Sequence, residues 1–176
     1  LALPLTTRII KPLIEQPAAQ ALLQPFQVVL TDFSWAEMIK YLRWGGISTE
    51  KEFYAMVPPS TLAGWKEELA TTFIDHEEAG LKANHLLELL TKVTPEGTLQ
   101  EYLEVCLQWL NHPLLLTGFI PNQLTPEPYL KERFFQTSLL GKIKGMIENT
   151  RDSVFGFSRK KMSLKDFYLI LEFLLG

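Results

Sequence analysis

The run Ser60-Thr61-Leu62-Ala63-Gly64-Trp65-Lys66-Glu67-Glu68-Leu69-Ala70-Thr71-Thr72-Phe73 continues without proline to about Val93, and its reading decides the fold class. Leu62, Trp65, Leu69 and Phe73 recur at spacings of three and four, and His76, Gly80, Ala83, Leu87 and Leu90 carry the stripe onward. On a 3.6-residue turn those positions lie above one another, so the run predicts a helix with one face toward a core. Some 30 residues at 1.5 Å each span roughly 45 Å. The run therefore reads as one long central helix or as two helices bent near Gly80.

Toward the C-terminus, Thr94-Pro95-Glu96-Gly97 is a turn leading into a helix from about Thr98 to Asn111, with Leu99, Leu103, Cys106 and Leu110 inward and His112-Pro113 closing it. Residues 113–125 form a loop around an apolar knot, Leu114-Leu115-Leu116. A further helix runs from about Pro126 to Asp152, its stripe being Leu130, Phe134, Leu140, Ile143, Ile147 and Val154. Ser163 with Asp166 caps a last helix.

Toward the N-terminus, Ser34 with Glu37 is a capping-box pattern opening a helix that ends at Gly45-Gly46, and Thr49 with Glu52 repeats the signature before Pro58-Pro59. Residues 1–31 are interrupted by Pro4, Pro12, Pro17 and Pro25, which predicts short, irregular elements; Pro12 and Pro17 can each open a short helix. Phe26-Gln27-Val28-Val29-Leu30 has strand propensity but no partner strand, and is expected to be helical or extended. With no strand pair and no internal repeat of fixed period, the expected fold is all-α: an irregular bundle of six to eight helices. It forms a single domain, in which a Pro-interrupted segment (1–33) packs on the bundle (34–176).

The composition agrees. Of 176 residues, 47% are apolar and 21% charged, enough to bury a core and unlike a disordered tail. The single cysteine, Cys106, cannot make an internal bridge or a thiolate cluster, which excludes disulfide scaffolds, zinc fingers and iron–sulfur sites. Apolar runs are too short to span a bilayer, and no secretory leader is evident, so an intracellular setting, cytoplasmic or nuclear, is expected. The apolar ending at Leu174-Leu175-Gly176 points to a docked terminus or a piece of a longer protein.

Chemistry is sparsely represented. Asp75-His76-Glu77-Glu78, with His85 and Glu88, lacks the His-Glu-x-x-His and paired Glu-x-x-His spacings of helical metal sites, and Glu78 with Lys82 reads as a solvated i,i+4 pair. His76 falls on the apolar stripe and is expected to be a hydrogen-bonded core or boundary residue. Cys106, between Leu103 and Leu110, is a packing residue. Nucleophile elbows, phosphate loops and dinucleotide fingerprints are absent. No catalytic residue, cofactor or metal is assigned.

Charge is unevenly spread. Residues 1–125 hold 8 basic and 14 acidic side chains, net −6, and residues 126–176 hold 9 and 6, net +3. Within 129–165 the balance is +6. The segment before the last helix sets Phe155 and Phe157 around Gly156 and ends in Arg159, Lys160 and Lys161, a loop able to seat aromatics in a partner while cations hold an acidic rim. In the last helix apolar residues cover nearly every face, marking Phe173 and Leu175 as further contact candidates. Leu86-Leu87-Glu88-Leu89-Leu90 matches a groove-docking pattern and is read as core. The expected function is a non-enzymatic protein-interaction or scaffolding domain of a larger protein or assembly, binding a protein partner or itself. Two alternatives stand beside it: a helical enzyme or cofactor-binding protein using His76 and the neighbouring acids, and binding of nucleic acid or lipid headgroups through 129–165.

Overall fold

A computed structural model describes residues 11–47, 57–117, 126–154 and 159–176, with the backbone alone at 126–129. It contains seven α-helices among the described residues: α1 (Pro17–Leu30), α2 (Trp35–Trp44), α3 (Leu62–Thr72), α4 (Glu77–Thr91), α5 (Leu99–Leu110), α6 (Pro126–Val154) and α7 (Leu164–Leu175). They form an irregular bundle, as the periodicity predicts.

The long run from Ser60 breaks at residues 73–76, four positions before Gly80, which lies inside α4. The Phe73 and His76 amides bond back to Leu69 and Phe73, closing α3, and α4 then starts with the acids Glu77 and Glu78 in its first turn, where negative charge favours a helix N-terminus.

The proline at position 25 does not end an element. α1 runs straight through it and buries Ala18, Ala19, Ala21, Leu22, Leu23, Phe26 and Val28. Pro25 has no amide hydrogen, so the carbonyl four residues back, that of Ala21, loses its helical donor. The Trp109 indole supplies one from α5, at 2.8 Å. Burial on every side, worth about 1.5–3 kcal/mol for each large apolar side chain, overrides the local penalty. α1 packs on α2, α4, α5, α6 and α7, and so holds the centre of the bundle.

Its N-terminus is closed from a distance as well. Gln16 offers no side-chain cap, and the Ala18 amide donates to Oε1 of Gln136 on α6 at 3.0 Å. Gln136 is fully buried and spends its own Nε2 on Gln16 and Glu132. The α1–α2 turn places Asp32 and Phe33 at φ 52° and 57°, and the Phe33 carbonyl accepts the Trp65 indole N–H. α2 begins at Ser34, but the expected capping box does not form: Ser34 Oγ donates to Thr31, and the Glu37 carboxylate is taken by Gln24 and Lys40. The second pattern, Thr49 with Glu52, lies outside the described residues. α2 ends with Gly46 at φ 86°, and a Cβ on Gly45 would collide with the buried Leu86 side chain.

The bundle also contains a strand pair, against expectation. β1 (Glu96–Thr98) and β2 (Lys161–Ser163) run antiparallel, with Gly97 opposite Met162. Three-residue strands far apart in sequence show no alternation, so nothing in the pattern announces them. Each strand ends on the N-cap of the helix that follows. Thr98 forms a complete capping box with Glu101, and Ser163 accepts the Asp166 amide. The residues after these acids, Tyr102 and Phe167, stack with centroids 4.7 Å apart, and Phe167 meets Phe26 of α1 edge-on.

Candidate interaction surface

α7 shows two faces. Leu164, Phe167, Leu171 and Leu175 are buried at spacings of three and four. Leu175, expected at an interface, is thus a core residue at 1% exposure, because it extends this inward stripe by one turn. Phe173 is 83% exposed, and Leu169, one turn earlier, is 56% exposed. The pair forms an apolar ridge on the outer face. Leu169 went unmarked in the sequence because the whole helix is apolar; its position opposite the 164–167–171 stripe is the signal that identifies it.

Arg159, Lys160 and Lys161 are exposed just before α7, and Lys165 continues them in its first turn. None of these four cations makes an ion pair among the described residues. Phe155 and Phe157 lie outside the described residues. Within 129–165, Lys144 pairs with Glu148 at 3.9 Å and Arg151 with Asp152 at 3.2 Å, and Arg151 also reaches Glu104, outside the segment, at 3.4 Å.

Two more apolar groups reach the surface. In α6, Leu130 and Phe134 were expected to face inward but are 63% and 75% exposed, because the inward line is Gln136, Leu139, Ile143 and Ile147. At the α3–α4 corner, Ile74 is 79% and Leu81 55% exposed, beside exposed Asp75, Glu77 and Glu78. The expected Glu78–Lys82 pair forms at 3.2 Å.

Among the described residues the titratable groups do not converge into a catalytic set. His76 is exposed, a correction to the core or boundary position expected of it: the chain leaves helical geometry at 73–76, and His76 becomes the N-cap of α4. Cys106 is fully buried, which pushes its thiol far up and keeps it protonated. Leu86, Leu87, Leu89 and Leu90 are core, as read.

His85, Glu88, Lys92, Gln108 and His112 line a groove of about 400 Å³ between α4 and α5. The His112 and His85 ring centroids are 6.5 Å apart, and His112 Nδ1 accepts the Leu114 amide at 3.1 Å. Burial lowers the His112 pKa and the His85 charge lowers it further, against an opposing pull from Glu88. Ligation through Nδ1 is blocked by that amide. No group of three His, Cys, Asp or Glu side chains able to hold a metal occurs among the described residues.

The helix, loop, short strand and helix from α4 to α5 follow the outline of a calcium-binding loop, so its residues need testing. Such a loop takes twelve residues with oxygen ligands at positions 1, 3, 5 and 12 and glycine at 6. In the twelve ending at Glu101 those positions hold Leu90, Lys92, Thr94 and Glu101, with Pro95 sixth. The Glu101 carboxylate is already bonded to the Thr98 amide, and Lys92 reaches Gln108. The donor set does not suit the ion.

No helix among the described residues is long and apolar enough to cross a membrane. Comparison of the chain with protein-family models, with curated proteins and with solved structures finds no match in any of the three.

Proposed function

We propose that this domain is a non-enzymatic protein-interaction module that docks through the outer face of α7. The observation that carries the reading is the Leu169–Phe173 ridge, 56% and 83% exposed on a helix whose opposite face is fully packed. An aromatic held out on a rigid helix loses little freedom on binding and supplies a large apolar contact, which is the profile of an interface anchor. Four cations, Arg159, Lys160, Lys161 and Lys165, rim the N-terminal end of the ridge and favour a partner with carboxylates beside an apolar patch.

A photo-crosslinking amino acid at position 173 tests the reading in cells that produce the full-length protein. Discrete adducts at 173 that are lost in a Leu169→Ser background support it. If no adduct forms, and Phe173→Ser changes neither binding nor solubility of the purified chain, α7 is not a docking face.

A further inference from the structure

The α7 ridge has a counterpart elsewhere on the same molecule. The α3–α4 corner exposes Ile74, in the break between the helices, and Leu81, in the second turn of α4, and sets the exposed acids Asp75, Glu77 and Glu78 between them in sequence. The α7 ridge exposes Leu169 and Phe173 and rims them with Arg159, Lys160, Lys161 and Lys165. Apolar content matches apolar content, and the two rims are opposite in sign. Charge is not uniform within either: Lys82 pairs with Glu78 at the corner, and Asp166 and Glu172 lie on α7, which leaves each rim a net excess of its own sign.

The two patches cannot cover one another within one chain as folded, since all four apolar side chains are more than half exposed. They also sit on helices with different neighbours. α7 packs on α1, β2 and the Leu13–Glu15 turn; α3 packs on α4, and α4 on α1 and α5. Opposite charge on separate patches favours encounter between molecules, while like patches repel, which disfavours a symmetric ridge-to-ridge or corner-to-corner dimer.

Resting on the reading of α7 as a docking face, we infer that its partner is a second copy of this chain, received at the acidic α3–α4 corner. The contact is head to tail: a molecule that docks its ridge on one neighbour still has its corner free for another. Such a contact propagates into a chain of copies, or a ring where the rotation closes, instead of stopping at two.

The asymmetry supplies a test that a two-fold dimer cannot pass. One variant carries Leu169→Ser and Phe173→Ser, the other Ile74→Ser and Leu81→Ser; all four sites are exposed, and thermal melting confirms that both variants fold. In sedimentation equilibrium the wild type is expected to grow in mean mass with concentration beyond a dimer, and to shift toward monomer in 0.5 M NaCl as the rims are screened. Each variant alone stays monomeric. Mixed in equal amounts they form a one-to-one pair and nothing larger, because the only intact ridge meets the only intact corner.

A wild type that is monomeric at every concentration, a variant that still dimerises alone, or a mixture that fails to pair each overturns the inference. If the wild type is monomeric while position 173 still yields adducts with another protein in cells, the second copy is wrong and the docking role of α7 stands. If position 173 yields no adduct and the mixture fails to pair, both fall.

Discussion

The indole N–H of Trp109 lies 2.8 Å from the carbonyl oxygen of Ala21, the α1 carbonyl that Pro25 deprives of its helical donor. A helix carrying an internal proline is thereby completed by a side chain from another helix. The bond is buried, and it ties the centre of the bundle to α5.

This relationship predicts an unusual rescue. Trp109→Phe leaves the Ala21 carbonyl buried without a donor and is expected to cost about 2 kcal/mol or more in urea unfolding. Pro25→Ala restores an amide that can bond Ala21. In that background Trp109→Phe is expected to cost about 1 kcal/mol less, a coupling that a double-mutant cycle reads directly. Additive costs would show that the indole does not compensate for the proline.

Gln136 plays the corresponding part at the N-terminus of α1. Gln136→Leu keeps the side chain's bulk but strands the Ala18 amide, with an expected loss of about 1–3 kcal/mol. Gln16→Ala removes two side-chain bonds of 3.2 Å, one accepted from Gln136 and one donated to the exposed Lys11 carbonyl, and is expected to cost under about 1 kcal/mol. Equal costs for the two would contradict the assignment of Gln136 as the cap.

His112 predicts a loss of stability in mild acid. Its neutral Nδ1 accepts the Leu114 amide, and a proton there breaks the bond. Because the folded pKa lies below the ordinary 6.5, the contribution is intact above about pH 6.5 and declines as pH falls from there through the lower folded value. Asparagine can accept the same i+2 amide as an Asx-turn without titrating. His112→Asn should therefore flatten the difference in urea midpoint between pH 7.5 and pH 5, and an unchanged difference would place the titration elsewhere.

The two ends of α7 separate packing from exposure. Phe173→Ser is expected to leave unfolding stability within about 0.5 kcal/mol of wild type, as at other exposed sites. Leu175→Ser opens the core and buries a hydroxyl, at an expected cost of about 3 kcal/mol or more. Chemical denaturation of the two proteins distinguishes them, and similar losses would mean that Phe173 is packed.

Helical periodicity made the bundle legible. The stripes of α3, α4 and α5 appear in the spacing of Leu62, Trp65, Leu69, Leu87, Leu103 and Cys106, and the Ser163 cap sits where its hydroxyl-and-acid pattern places it. What escaped was decided by tertiary contact. Pro25 looks like a helix breaker until Trp109 is brought beside it, Gln136 looks like a surface residue until Ala18 is, and Leu175 and Phe173 are equally apolar until the direction of the core is known. His76 was misjudged through a single boundary. Extending the stripe past Phe73 put His76 at the core or its boundary, whereas the helix had already ended.

The ladder between Gly97 and Met162 has a consequence for how the chain holds together. The segment that leaves Gly97 runs through α5 and α6 and returns to the same spot before launching α7, so it closes a circuit. Closing a circuit of this length carries a loop-closure cost, which the packing of the intervening helices against one another offsets. Once shut, the ladder leaves a chain nicked inside the circuit with both cut pieces still anchored: one by β1 and α5, the other by β2 and α7, stacked together through Tyr102 and Phe167.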